Sequence, residues 1–185
     1  MAGMTELFAL LTERLILRGW EQRDLAPMLA MCNDPQVMRF LGPHPDESEM
    51  QAVFARQTGF QRDLGYCFWI MERRADGAML GFCGLKPGHV GTPIEGKVEI
   101  GWRMRADAWG QGYAREAAQA SLGWAWANLP DPAIWAITSP GNVRSWGLME
   151  RLGMTRHHDL DFDFHIVPEG DPLRPHITYS IGRPT

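Results

Sequence analysis

Glu99 sits in an apolar run from Val98 to Met104, and the chain then passes into Trp109, Gly110, Gln111, Gly112, Tyr113, Ala114 and Arg115. A carboxylate on a strand can take a proton from a substrate if it is placed beside the reacting group. The segment after it has a different use. The first backbone N–H groups of a helix have no partner inside it, and the helix dipole adds partial positive charge there. Gly110 and Gly112 let a ligand approach the main chain closely, and Ala114 adds little bulk. The loop is therefore read as a cradle for a phosphate-bearing ligand. Further along, Asn142 precedes Ser145, and Asp159, Asp161 and Asp163 alternate with His158, Leu160, Phe162 and Phe164. On a regular strand that spacing lines three carboxylates along one face.

Two phosphate-binding patterns do not fit. A Walker A loop needs Gly-Lys-Ser/Thr, which does not occur in the chain, and a dinucleotide fingerprint needs a third Gly where Arg115 stands. What remains resembles the acetyl-CoA loop of the GNAT superfamily of N-acetyltransferases. Gly112 and Ala114 match its small positions, while Trp109 stands where Gln or Arg is usual. The resemblance covers nearly the whole chain and is strongest to the ribosomal-protein N-terminal (RimJ/RimL-like) branch. Thr12 to Arg18 resembles its opening strand, and Asn142, Ser145 and Leu152-Gly153-Met154 resemble its Asn-x-x-Ser…Gly-Phe segment.

This resemblance implies one α/β domain over residues 1–185. It has a central mixed, largely antiparallel, twisted sheet flanked by helices and splayed at the central strands. It also implies transfer of acetyl from acetyl-CoA, with no metal, to a primary amine on a protein N-terminus or a small molecule. Main-chain groups of Gly110, Gln111, Gly112, Tyr113, Ala114 and Arg115, with Trp109 beside them, would hold the pyrophosphate. Trp102, Arg103 and Met104 would offer free backbone groups to pantetheine, and Asn142 and Ser145 would approach the cofactor. Glu99 is the first candidate base, although a carboxylate merely paired with an Arg or solvated satisfies the pattern equally. Ser145 is the candidate acid, and its alternative is an ordinary first-turn helix residue. Other superfamily members use a Tyr on this helix, where Met149 stands here. Asn142 also suits a purely structural N-cap. Asp163 is an alternative base, displaced by one position from a Glu of the ribosomal branch, or the acidic residues simply protect an exposed edge strand. A CoA-binding sensor without turnover is the rival reading, and a homodimer is compatible with the superfamily.

Composition narrows the partners. A chain of 185 residues with 45% hydrophobic and 22% charged residues is ordinary for one soluble domain. A net charge of −4, with Lys86 and Lys97 the only lysines, gives no basic face for nucleic acid. No apolar stretch is long enough to span a membrane, and residues 1–11 lack the basic start of a signal peptide. Cys32, Cys67 and Cys83 are odd in number and without C-x-x-C spacing, so free thiols in a reducing cytoplasm are expected. The six histidines show no metal-ligand spacing.

The elements that must position these residues follow from periodicity. Strands are expected over 15–20, 66–73, 79–85, 97–104, 133–138, 154–164 and 176–181. Helices are expected over 21–32, 46–64, 113–128 and 143–152. In the helix after the loop, Tyr113, Ala117, Ala120, Trp124 and Ala127 are expected to face the sheet. Asp34-Pro35 reads as a break, and Asp76-Gly77 as a hairpin turn. Trp20 and Trp69 are candidates to border an acceptor pocket.

Overall fold

Alternation along the central strands decides the layers. Phe82 and Cys83 are neighbours in sequence and point to opposite faces of the sheet. Cys83 meets Ser121 of one helix at 3.8 Å, whereas Phe82 joins Met28, Cys32 and Met50 of two others around a cavity. Helices therefore cover both faces of one sheet. A computed structural model describes residues 8–184 of the chain. Its elements are β1 (Ala9–Leu11), β2 (Leu15–Arg18), α1 (Leu25–Cys32), α2 (Pro35–Met38) and α3 (Glu47–Leu64). There follow β3 (Phe68–Arg73), β4 (Met79–Pro87), β5 (Val98–Met104), α4 (Tyr113–Asn128) and β6 (Ala133–Thr138). The chain closes with α5 (Val143–Arg151), β7 (Thr155–Asp163) and β8 (Pro175–Gly182).

The eight strands lie in the order β1-β2-β3-β4-β5-β6-β8-β7, and all neighbours are antiparallel except β5 and β6. This is the mixed, largely antiparallel α/β sheet expected from the resemblance. The splay is present too. β5 has seven residues and β6 has six, yet they pair only at Val98↔Ile134 and Glu99↔Trp135 before they part. β4, by contrast, pairs with β5 along the whole length from Gly81↔Met104 to Pro87↔Val98.

Local chemistry explains most boundaries. Asp46 and Glu49 form a reciprocal capping box at the start of α3, and Gly65 ends it with a φ of +80°. Between β3 and β4, Gly77 takes a φ of +72°, as the Asp-Gly turn requires. Cys32, Cys67 and Cys83 are free and buried, and burial pushes the Cys67 and Cys83 thiols up to about 12. No helix of the described residues is long and apolar enough to cross a membrane.

Four expectations need correction. β1 (Ala9–Leu11) is not among the expected strands, and it is defined by its pairing with β2. Asp34-Pro35 does not merely break the chain: Asp34 accepts from the Gln36 N–H and Pro35 opens α2. The buried stripe of α4 is rotated to Tyr113, Ala117, Ala118, Ser121, Leu122 and Ala125, which leaves Ala127 exposed. Small residues all round that helix made its inner face ambiguous. Finally, β7 is not regular. Its register against β8 jumps between His157↔Thr178 and Phe162↔His176, a bulge that takes in Asp159 and Asp161, although Asp159, Asp161 and Asp163 stay exposed and alternate with the half-buried Leu160, Phe162 and Phe164.

One buried ionic group ties the strands to the first helices. Arg18, in β2, grips both Asp24 carboxylate oxygens at 2.8 Å and Glu72 of β3 at 2.8 Å. Asp24 is 2% exposed, so its carboxylate cannot turn to water when the guanidinium is removed, whereas Glu72 also pairs with Arg23 at 3.1 Å. Arg18→Met is expected to cost about 3–5 kcal/mol in urea unfolding, because it strands the buried Asp24 carboxylate without a cation. A loss below about 1 kcal/mol would assign the group no structural weight.

Candidate active site

The loop has an open backbone and an uncapped helix start. Gly110 and Gly112 have φ values of +76° and +83°, a region that side chains disfavour. Gly112 is the N-cap of α4, and no side chain caps the helix, so the N–H groups of Tyr113, Ala114 and Arg115 lack an intrahelical partner. The Tyr113 side chain is buried, which leaves its backbone for the loop. Gln111 contributes differently. Its carbonyl accepts from Arg14 Nη1 at 2.9 Å, and its side-chain amide donates to Asp107 at 3.1 Å.

Arg14 is a residue whose role the sequence did not disclose. Its Nε donates to Glu116 at 2.7 Å, and its guanidinium lies 4.4 Å from the Tyr113 ring centre. Glu116 also accepts from the Thr12 hydroxyl at 2.6 Å and the Arg14 N–H at 2.8 Å. The entry to β2 is thus bolted to the first turn of α4. These contacts hold the Glu116 carboxyl below its ordinary range despite partial burial, which opposes the shift.

The open edge of β5 can be read from its hydrogen bonds. The Arg105 N–H donates to Leu80 at 2.9 Å and the Gly88 N–H to Lys97 at 2.8 Å. By alternation, the backbone groups of Glu99, Gly101 and Arg103 face β4, while those of Ile100, Trp102 and Met104 face the cleft toward β6. Of the three residues expected to offer backbone groups, Trp102 presents both. Met104 presents its N–H, because its carbonyl accepts from the Trp109 indole at 3.0 Å. Arg103 presents neither, since its backbone pairs with Phe82 of β4. Its assignment to a pantetheine-binding edge is therefore corrected. Trp109 is itself fixed by Arg144, whose guanidinium lies 4.5 Å from its ring. In this geometry the indole positions the loop from behind.

Glu99 is buried on the face shared with Gly101 and Arg103, at the point where β5 and β6 separate. Lys86 pairs with it, not an arginine. Burial pushes its carboxyl up, while the Lys86 charge and hydrogen bond, and the nearby His89, pull the other way; the net direction is upward. A buried carboxylate whose pKa is raised is a better proton acceptor when ionised than an exposed one, and this one stands at the cleft apex.

Across the cleft, Asn142 precedes α5 without using its side chain as a cap. Its carbonyl instead accepts from the N–H groups of Ser145 and Trp146 at 3.0 and 3.2 Å. Ser145 is half-buried in the first turn, and Met149 is fully packed in the core. Ser139, which the sequence reading passed over, ends β6 with its hydroxyl buried and unpartnered among the described residues. The acidic strand contributes least. Asp161 folds back onto Arg156 at 2.5 Å, and Asp163 is 65% exposed and paired with Arg174 at 3.4 Å. The half-buried positions there belong to Phe162 and Phe164, whose ring centres lie 5.6 and 4.9 Å from that of His176 in tilted and edge-on contact, while His89 meets Phe164 at 5.0 Å. Among the described residues no group of three or more His, Cys, Asp or Glu is placed to hold a metal ion. Trp20 borders a cavity beside β5, whereas Trp69 is wholly buried in the core.

Comparison with known proteins agrees with this geometry. The family model for the acetyltransferase (GNAT) domain matches residues 14–155. The uncharacterized protein YkkB of Bacillus subtilis is 32% identical over 146 residues, which are 78% of this chain and 84% of that protein. The uncharacterized N-acetyltransferase YoaA of the same organism is 27% identical across 94% of this chain and 96% of its own. An acetyltransferase from Agrobacterium tumefaciens superposes with a TM-score of 0.76 at 26% identity, covering 94% of both chains. The matched span runs from Arg14 to the start of β7, so it includes the cradle, the open edge and Asn142.

The cradle makes a direct prediction. Gly112→Ala puts a side chain at a φ of +83° and 3.4 Å from Arg14, so the loop must rearrange. With coenzyme A as the diphosphate probe, calorimetry should show about a tenfold weaker affinity, in line with roughly 1–2 kcal/mol of strain. Unchanged affinity would mean that the diphosphate sits elsewhere.

Proposed function

The chain belongs to the acetyltransferase (GNAT) family, and on that premise we propose that it transfers an acetyl group from acetyl-CoA to a primary amine. The acceptor amine is carried by a small molecule or a peptide N-terminus. The observation that carries this reading is the position of Glu99: a buried carboxylate stands where β5 loses its β6 partner, and the glycine cradle lies beyond the other end of the same strand.

The residues present fit the cosubstrate. The N–H groups of Tyr113, Ala114 and Arg115 suit a diphosphate, approached closely past Gly110 and Gly112. The N–H and carbonyl of Trp102 suit the amides of a pantetheine arm laid along β5 like a missing strand. Asn142, its side chain not used as a cap, and Ser145 face this arm from α5. When bound, acetyl-CoA supplies an acyl carbonyl activated as a thioester. Glu99 takes one proton from the incoming ammonium, and Lys86 holds the carboxylate in its ionised form until that transfer. The freed lone pair forms the C–N bond as the C–S bond breaks. A second proton leaves the nitrogen for the departing thiolate, with the Ser145 hydroxyl as relay, and Glu99 returns its proton to water. A cytoplasmic location suits the three buried free thiols.

Because only ionised Glu99 accepts a proton, turnover should fall as pH drops through its raised pKa. Glu99→Gln should lower kcat by about a hundredfold or more and remove that acid limb, with acetyl-CoA affinity retained. Lys86→Met removes a charge that lowers the Glu99 pKa, so the limb should move to higher pH. Wild-type turnover in Glu99→Gln, measured by thiol release over a pH series, would exclude Glu99 as the base.

A further inference from the structure

Arg103 is left without an anion. No carboxylate among the described residues pairs with Arg103, nor with Arg39, Arg56, Arg74, Arg115, Arg144, Arg151 or Arg183, but of these eight Arg103 alone has a buried side-chain nitrogen without a partner. Its Nε is buried and unpartnered, and its Nη1 reaches only the Cys32 sulfur at 3.2 Å. Its guanidinium lies 5.5 Å from the Phe82 ring. The side chain is only part-buried, but its Nε–H donor is shut off from water without an acceptor, and an unmet buried donor is costly.

The same guanidinium borders a cavity of about 160 Å³ under α1 and α3, otherwise walled by apolar side chains such as Trp20, Met28, Met38, Met50 and Phe82, with the Cys32 thiol. A dry cavity of about 150 Å³ holds a benzene-sized molecule, so there is room for one ring or a branched aliphatic group. Arg103 and Glu99 share one face of β5, with Cα atoms roughly 13 Å apart at about 3.3 Å per residue. Between them lies an aromatic floor: Phe68 covers Gly101 and stacks on Phe82 at 5.1 Å. Along this face run a buried carboxylate, an apolar strip, and an unpaired guanidinium beside an apolar cavity.

We propose that this face binds a zwitterion: the acceptor is an amino-acid-like molecule whose carboxylate pairs with Arg103, whose apolar group fills the cavity, and whose amine points toward Glu99. The assignment rests on the acetyl-transfer reading for the fate of the amine. The carboxylate completes the Arg103 fork with two parallel hydrogen bonds and relieves the buried Nε. Amines without an anion, such as polyamines, leave Arg103 unsatisfied and are disfavoured.

The test uses the full chain without acetyl-CoA, so it can fail while acetyl transfer stands, and acetyl transfer can fail while it succeeds. The Nε–H resonance of Arg103 is followed by NMR as 3-phenylpropanoate is added, with 3-phenylpropan-1-ol as the uncharged match. The carboxylate should shift that resonance saturably at about millimolar concentration and bind about tenfold or more tightly than the alcohol. Arg103→Met should lose the preference, and Arg103→Lys should retain part of it. Phenylalanine, which adds the amine, should bind more tightly than 3-phenylpropanoate, and Glu99→Gln should remove that gain. Equal binding of acid and alcohol, or undiminished preference in Arg103→Met, overturns the carboxylate site; if Arg103→Met does not fold, the comparison in the wild-type chain decides. No gain from the amine, or a gain that survives in Glu99→Gln, overturns the orientation.

Discussion

A strand has two edges, and the site depends on β5 spending only one of them. β4 takes every backbone group on its side from Val98 to Met104, while β6 leaves the other side after Glu99↔Trp135. Unpaired backbone N–H and C=O groups inside a fold are costly unless something satisfies them. The parting of β5 and β6 therefore leaves an open strand edge, which in the proposed function takes a ligand that behaves as a strand. It also sets the position of Glu99, which is buried because pairing persists up to it and reachable because pairing stops there.

The far end of this open edge is kept in shape by side-chain contacts around the glycine loop. Trp109 closes the Met104 carbonyl, Arg144 stacks on Trp109, and Arg14 joins the Gln111 carbonyl to Glu116. These contacts approach the loop from β2, β5 and α5. Two glycines at positive φ would otherwise give the loop wide freedom, and ordering that freedom on binding would weaken the grip. The arrangement holds the helix N-terminus open before any anion arrives.

Much of this was legible because it is local. The glycines, the Ala-rich helix after them and the Asp-Gly turn each act within a few residues, and β6 runs over 133–138 as periodicity indicated. Facing was harder. Alanine on every side of α4 gives no unambiguous apolar stripe, so the expected inner face held for Tyr113, Ala117, Ala120 and Trp124 but ran on to the exposed Ala127 and missed Ala118 and Leu122. The bulge in β7 was invisible because its cause is the partner strand: Thr178 donates to the Leu160 carbonyl at 2.8 Å across the irregular pairing. The role of Arg14 was hidden for the same reason, since its partners lie about a hundred residues away. Arg103 was placed on the right strand and given the wrong edge, because the side on which β4 pairs follows from register and not from composition.

The alternation along β5 can be tested amide by amide. Hydrogen exchange is measured by NMR with and without saturating acetyl-CoA. The Trp102 amide, which faces the cleft, should become strongly protected together with the amides of Tyr113, Ala114 and Arg115, while the Arg103 amide, already bonded to β4, should not change. Saturated binding that leaves Trp102 unprotected, or that protects Arg103 instead, would contradict the account of β5 as a strand held open for its ligand.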